Sequence, residues 1–387
     1  MQEDFHYYAT YCAAQIAGWS HEDSLAIAYS AQLVDCCTET FLSALHAPLA
    51  ATTTQSQLEL AEARTDVIGL QEITRIWASF HFLPGDLNAD PGKGGRRYKN
   101  KYRLICDVNG PLVKETVDLA KDHGLAAAGL AMHVLADTWA HRYFAGTPSL
   151  VINSASAFEE LIPGQDGPAI RPVRFLHSLS APDALDTGHY VNSLHQLEET
   201  SIMNLGHGRA GHLPDYSCMQ YRFMPAWNNY ETIIKNNPLD YYQAFCQMVY
   251  ALQYLHGDIE TFETNTYAYE RVAPYDARIK QILMIRRLSA ADDWEAFGKD
   301  LSGREVEPFS LHKCEEEYLA APDGKHRDTF LGHFVLAALA QKSMLTNRVH
   351  GSGNPLAGIS VKYSEKGIRG IRDFRHLLQR MEGRGHE

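Results

Sequence analysis

The chain has 387 residues, enough to bury a sizeable core in one large domain or in two of ordinary size. Hydrophobic residues at 45% and charged residues at 21% are typical of a globular protein, and the net charge of −12 argues against a general nucleic-acid binder. Seven cysteines without paired spacing argue against a disulfide framework and a cysteine-based zinc site, whereas 19 histidines are an unusually large number.

Helical periodicity dominates the chain, and few runs alternate between apolar and polar residues as half-buried strands do. Ser20-His-Glu-Asp23 resembles a capping box that opens a helix running to Asp35 and beyond. We therefore expect an all-α fold, a multi-helix bundle with long loops and a helical C-terminal extension. The later helices are predicted over residues 57–80, 111–144, 191–205, 238–263, 274–288 and 329–346.

Two stretches rich in glycine and proline predict surface loops, from Leu83 to Arg97 and from Ile162 to Pro172. The first contains Gly-Lys-Gly-Gly, but its spacing is not that of a phosphate-binding loop and no predicted strand precedes it. Nucleotide binding is therefore not expected there.

A change in composition after Asn347 divides the chain into a helical domain over residues 1–346 and a basic tail over residues 347–387. The tail contains a short amphipathic piece from Ile371 to Met381. It either makes peripheral contact with an anionic membrane surface or packs on the body as a solvated terminal helix, and we favour the second.

Two features of the sequence bear on the cellular location of the protein. No apolar run is long enough to cross a bilayer, and the first residues lack the basic and apolar regions of a secretory signal. We expect a cytoplasmic protein, or a secreted one if a signal was removed or another export route is used.

The most informative segment is an Ala-rich helical run that carries His133, Asp137 and His141, each four residues from the next. This spacing places the three side chains in one stripe along one helix face. A lone histidine on an apolar face is more often a hydrogen-bonded core residue than a ligand. Three polar groups in register, with Trp139 between them, favour an enclosed metal site instead.

Such a helix needs ligands from elsewhere in the chain, and four places offer them. His6 lies near the first helix, Asp35 follows the apolar Ala-Gln-Leu-Val, and His81 lies between aromatic residues at a helix end. The fourth place is a glycine-rich piece that carries His207, His212 and Asp215. Each residue alone has an ordinary structural interpretation, as a capping group, a paired acid or part of a turn. Together they fill the coordination positions that the stripe leaves open.

The pattern His-x-x-Ala-Asp-x-Trp-x-His over residues 133–141, preceded by an N-terminal His and an Asp at a helix end, resembles the zinc-dependent phospholipase C family. That family is related in fold to single-strand-specific zinc nucleases and to the catalytic domain of glycosylphosphatidylinositol-specific phospholipase D. In the last group a His and, eight residues on, an Asp follow the stripe, as His207 and Asp215 do here. The resemblance covers discontinuous pieces of residues 1–225 and leaves the C-terminal third unexplained.

The resemblance implies two or three zinc ions, with iron or manganese as less favoured choices. Asp35, His81, His133 and Asp137 would surround one zinc, and Asp137 would bridge to a second ion that His6 also holds. His141, His207 and Asp215 would complete a further site, and His212 is an extra imidazole with an open role. The motif His195-x-x-x-Glu199 fits the closing pattern of the phospholipase C family and competes with His207 and Asp215, which we favour because glycines surround them.

One departure from the family concerns the N-terminus. Family members often use the free amino group of a processed N-terminus as a ligand. Here His6 follows five residues and no cleavage signal is visible.

We therefore predict a metal-dependent hydrolase of a small-molecule or lipid phosphoester that uses a metal-activated water. Asp35 would accept a proton from that water, Asp137 would be the shared catalytic carboxylate, and Arg142 or Arg209 could face the phosphate. The alternatives are a nuclease on the same scaffold, a non-catalytic helical protein with a structural metal, and a di-iron oxygenase. The oligomeric state is not predicted.

Overall fold

A computed structural model describes residues 1–63, 67–87, 104–121, 123–147, 153–164, 167–176, 183–191, 206–228 and 230–352. The first helical segment begins as a π-helix, Asp4–Ala9, and continues directly as an α-helix. The α-helices are α1 Thr10–Ala17, α2 His21–Leu33, α3 Glu39–Ala44, α4 Gln57–Ala63, α5 Val67–Phe80, α6 Pro111–Ala120, α7 Gly124–Ala140, α8 Gly206–Ala210, α9 Asn237–His256, α10 Tyr269–Val272, α11 Asp276–Met284, α12 Ala291–Ser302, α13 Leu311–Ala320 and α14 Phe330–Ser352. Short 3₁₀ turns are Leu49–Ala51, Ala226–Asn228, Ala273–Tyr275 and His326–Asp328. The strands are β1 Ala155–Ile162, β2 Ala169–Pro172, β3 Arg174–Leu176, β4 His189–Val191, β5 Gln220–Pro225 and β6 Ile233–Asn236.

The expected all-α fold is wrong, because the described residues contain two sheets. Strands β2, β1, β5 and β6 form an antiparallel sheet in that order, and β3 pairs in parallel with β4. Strand β5 alternates buried and half-buried residues, a pattern that the sequence carries over only six positions. Strand β1 also alternates in burial from Phe158 to Leu161, but its inward position 160 is a glutamate, paired there with Arg171, so its residue types do not alternate. The sequence of β1 therefore lacks the apolar pattern from which a strand is predicted.

Helix ends differ from the predicted ones at the positions that carry candidate ligands. Ser20 does cap α2, since its hydroxyl accepts a hydrogen bond from the Asp23 amide at 3.1 Å. However, α2 ends at Leu33, and Asp35 lies in the following turn. The helix predicted over 111–144 is two helices that meet at Gly124, where φ is +79°. His141 lies just beyond the end of α7.

The other predicted segments are related to the observed elements as follows. Residues 57–80 contain α4 and α5, with 64–66 outside the described residues. Helices α9, α11 and α14 correspond to the predictions over 238–263, 274–288 and 329–346. Most of the 191–205 prediction, the loop from residue 88 onward and the tail from residue 353, including Ile371–Met381, lie outside the described residues.

Helix α7 lies at the centre of the helical core, and it is buried on nearly all sides. It packs against α2, α6, α9 and α14. The contact with α2 is close, because a Cβ added at Gly129 would lie 2.1 Å from the Ile27 carbonyl oxygen. The Ser30 hydroxyl also donates to the Ala126 carbonyl at 2.5 Å. The small residues near the start of α7 therefore allow it to pack closely against α2.

A second hydrophobic cluster joins the antiparallel sheet to the C-terminal end of α7. Phe144 stacks on Phe223 of β5, and Phe223 stacks on Phe158 of β1. Lys235 of β6 reaches back and donates to the Trp139 carbonyl at 2.7 Å. In the described part of the chain, none of the helices combines the length and apolar character that a membrane span requires.

Candidate metal centre

Asp137 is the centre of a largely buried cluster of imidazoles and carboxylates. We call this cluster the Asp137 group, and its members are His6, Asp35, His81, His133 and Asp137. The Asp137 Oδ1 atom lies 3.1 Å from His6 Nε2, while Oδ2 lies 3.1 Å from His81 Nδ1 and 3.2 Å from His133 Nε2. Asp35 is farther out, with carboxylate oxygens 3.8 Å from His81 Nδ1 and 3.9 Å from His133 Nε2. Asp35 is also the most exposed member, at 29% of its side chain.

A second group, the Asp215 group, consists of His141, His207 and Asp215. One oxygen, Asp215 Oδ1, lies 3.2 Å from both His141 Nε2 and His207 Nε2. The two groups are adjacent, because His141 Nδ1 lies 3.4 Å from Asp137 Oδ2. Ring contacts with Phe82 enclose this end, since Phe82 stacks on His141 with centroids 4.8 Å apart and meets His207 edge-on.

The cluster forms where helices end. Asp35 lies two residues past α2, His81 follows α5, and His141 follows α7. His6 comes from the π-helical turn before α1, where its ring stacks on that of His133 at 3.8 Å. Separate chain segments therefore converge on α7, which contributes His133 and Asp137 from its own last two turns.

Three of the histidines are oriented by their second ring nitrogen. His133 Nδ1 lies 2.8 Å from the Ala31 carbonyl oxygen, His81 Nε2 lies 3.0 Å from that of Thr53, and His141 Nδ1 lies 2.7 Å from that of His81. A carbonyl oxygen only accepts hydrogen bonds, so each of these nitrogens carries the proton. The other nitrogen of each ring faces the cluster, and in the neutral form of the ring it offers a lone pair.

The pKa values of two histidines and of both carboxylates are shifted in the cluster. Burial, followed by the nearby His133 and the N-terminal amine, lowers the pKa of His6 to about 3. Burial also lowers the pKa of His141. Burial alone would raise the pKa of Asp137 and Asp215, but the positive charge of the surrounding imidazoles, when they are protonated, and of the N-terminal amine holds both pKa values well below the usual range.

The amino group of Met1 joins the two groups, and it is the member that the sequence reasoning did not place in the cluster. Its nitrogen lies 3.0 Å from Asp137 Oδ1 and 3.3 Å from Asp215 Oδ1. Burial lowers the pKa of this amine, but Asp137, Asp215 and Asp35 raise it more, to about 11.

The structure thus brings together eight of the predicted ligands. Their donor atoms form three sets, each within 4.8 Å: His6, His133 and Asp137; Asp35, His81 and His133; and His141, His207 and Asp215. His212 is not brought into the cluster, because its Nδ1 is 2.9 Å from Asp183 and half of its side chain is exposed. His195 and Glu199 lie outside the described residues.

Neither arginine proposed for phosphate contact is seen to face the cluster. Arg142 Nε donates to Asp107 at 2.6 Å, and its guanidinium lies over the Tyr143 ring. Arg209 borders a separate cavity of about 510 Å³ beside Phe158 and Phe175.

Fold and site together define a mainly helical α+β protein with a buried His and Asp cluster of the kind that binds metal ions. A family with the description "Family of unknown function (DUF6765)" matches residues 1–349, and the chain belongs to this family. The matched region contains every residue of both groups. Comparison with curated proteins and with solved structures found no match.

Proposed function

We propose that the protein is a metal-dependent phosphoester hydrolase, similar to the zinc-dependent phospholipase C family. The observation that carries the proposal is the orientation of His81, His133 and His141. Each gives its N–H to a backbone carbonyl and turns a lone pair toward a carboxylate. In the neutral form of each ring two acceptors face each other in a buried site and repel, and a cation between them removes the conflict.

The spacing of the donor atoms fits metal coordination. Ligand atoms about 2.0–2.1 Å from a tetrahedral zinc lie about 3.3 Å from one another. The contacts of Asp137 and Asp215 with their imidazoles range from 3.1 to 3.2 Å, and His133 Nε2 is 3.3 Å from His81 Nδ1. The donor set of imidazoles and carboxylates suits zinc, and also iron or manganese.

The chemical roles follow from burial. When bound, zinc ions lower the pKa of a coordinated water and act as Lewis acids toward a phosphoryl oxygen. Asp137, 1% exposed, and Asp215 would hold the ions and keep them apart from solvent. Asp35, 29% exposed, would accept a proton from an incoming water, and His207, 20% exposed, is the most exposed imidazole of the two groups.

The first test is the metal content of the purified protein and its hydrolysis of bis(p-nitrophenyl) phosphate. We expect zinc in the parent chain and loss of both zinc and hydrolysis in Asp137→Asn, by at least about 100-fold in rate. The matched control is Glu160→Gln, because Glu160 is equally buried but lies in the sheet. Normal turnover in Asp137→Asn would refute the proposal, and zinc without turnover on any phosphoester would favour a structural metal.

The substrate class needs a separate comparison. Hydrolysis of choline phospholipids is measured beside hydrolysis of single-stranded DNA under the same conditions. The acidic charge of the chain favours the phospholipid. Preference for DNA would instead support the nuclease alternative.

A further inference from the structure

An open cavity of about 280 Å³ with several charged and polar side chains in its wall lies between helices α5 and α14, away from the candidate metal centre. Helix α5 contributes Glu72 and Arg75 to its wall. Helix α14 contributes Lys342, Ser343, Thr346 and Asn347. Arg75 precedes His81 by six residues, which places it about 9 Å along the helix axis and on a different face. The cavity is therefore a separate feature of the molecule.

The charges in this cavity do not balance. Glu72 is a single carboxylate shared by two cations, with Lys342 Nζ at 3.0 Å and Arg75 Nη1 at 3.2 Å. Lys342 is nine-tenths buried, and burial lowers its pKa although Glu72 acts in the opposite direction. The three side chains together carry one net positive charge, and only the Lys342 end of the group is shielded from solvent.

Hydrogen-bonding capacity is also left over. Arg75 Nε is buried and has no hydrogen-bond partner, and the same is true of the nearby His350 Nδ1. Burial and the charge of Arg75 lower the pKa of His350, which favours its neutral form. A buried N–H without an acceptor is costly. The hydroxyls of Ser343 and Thr346 and the amide of Asn347 supply more donors at the wall.

We propose that this cavity binds a small oxyanion, inorganic phosphate or the phosphate group of a phosphomonoester. An oxyanion can accept hydrogen bonds from the exposed part of an arginine guanidinium and a further one from a lysine. The cavity volume exceeds that of a phosphate group and leaves room for part of the organic group of a phosphomonoester. The proposal does not depend on the hydrolase activity or on the metals.

The position of Glu72 predicts that one substitution should raise the affinity for phosphate instead of lowering it. Glu72 forms ion pairs with the two cations that the oxyanion would bind, and its negative charge repels the ligand. Glu72→Gln keeps the shape of the side chain and removes the charge. Its affinity for phosphate should therefore rise about tenfold, although the substitution breaks two ion pairs.

The experiment is calorimetric titration of the full chain with sodium phosphate at fixed ionic strength, followed by the same titration of four variants. Glu72→Gln should bind phosphate more tightly, and Arg75→Met and Lys342→Met at least about tenfold more weakly. The control is Arg348→Met, which removes an exposed arginine of the same helix whose partner is Glu115. Its affinity should equal that of the parent.

The outcomes separate the cavity from other sources of phosphate binding. Unchanged affinity in both Glu72→Gln and Arg75→Met would overturn the proposal, because any phosphate bound would then lie elsewhere, for example at the metal centre. An equal effect of sodium chloride would overturn it as well, since it would indicate general screening. Arg75 is one-third exposed, so its substitution keeps the test decisive if Lys342→Met fails to fold.

Discussion

The Asp137 group and the Asp215 group contain the same types of side chain, but they are supported differently. His81 and His133 are each held by a backbone carbonyl and lie among long helices. His207 sits on the five-residue helix α8 and is one-fifth exposed, and Asp215 comes from a turn before the sheet. A long core helix thus holds much of the Asp137 group in place, whereas a short helix and a turn beside the sheet complete the Asp215 group.

The largest expected effect tests this difference directly. His133 belongs to two of the three donor sets, whereas His207 belongs to one. We expect His133→Gln to lower phosphoester hydrolysis at least about 100-fold and His207→Gln only about tenfold. Metal analysis should give the loss of one ion in His207→Gln and a larger loss in His133→Gln. Equal losses would mean that the two groups form a single indivisible site.

Removal of the metal should destabilise the fold, because a ligand that binds the folded state stabilises it by mass action. At a thousandfold excess over Kd this contribution is about 4 kcal/mol. Treatment with a chelator should therefore lower the Tm of the parent chain, and added zinc should restore it. His133→Gln should show a much smaller chelator effect than His207→Gln. An identical Tm with and without chelator would contradict the interpretation.

The sheet is expected to support the Asp215 group without binding metal itself. Glu160 accepts hydrogen bonds from Arg171 at 2.6 Å and from the Tyr190 hydroxyl at 3.3 Å, and it is paired with Arg286. Because both arginines are partly exposed, Glu160→Gln should lower the free energy of unfolding by about 2 kcal/mol. Urea denaturation measures this loss. The zinc content of the variant should stay at the parent value, and loss of zinc would show that the sheet does more than support.

The smallest effect concerns His212, the candidate ligand that stays outside the cluster. Its hydrogen bond to Asp183 raises the pKa of His212, and the same contact helps to lower the pKa of Asp183. The histidine contribution is complete below its unfolded pKa of about 6.5 and is lost as pH rises through the raised value. The aspartate contribution is complete above about 3.9 and is lost as pH falls through the lowered value.

The pair should therefore stabilise the fold most between about pH 4 and pH 6.5, by less than about 1 kcal/mol because His212 is half exposed. The Tm difference between the parent and His212→Asn should shrink from pH 5.5 to pH 8.5. A constant difference would refute this account of the pair. Zinc content should not change in the variant.

Several features could be predicted from the sequence because they depend on local spacing. The register of His133 and Asp137 follows from helical geometry, and the Ser20 cap follows from its position before an acidic first turn. The Ala and Gly residues of α7 indicate a helix buried on most sides. The sequence also offered His6, Asp35 and His81 as candidates, and all three lie within reach of Asp137 or its imidazoles.

Other features were decided only by tertiary structure, because they depend on contacts between distant segments. Strand β1 is a strand because β2 and β5 pair with it, while its inward Glu160 hides the usual pattern. The sequence made His207 and His212 similar candidates. The structure pairs the His207 ring with Asp215, whereas the His212 ring is hydrogen-bonded to Asp183, 29 residues earlier. Sequence alone thus determined which chemistry the chain can offer, and the packing of helix ends around α7 decided which groups meet.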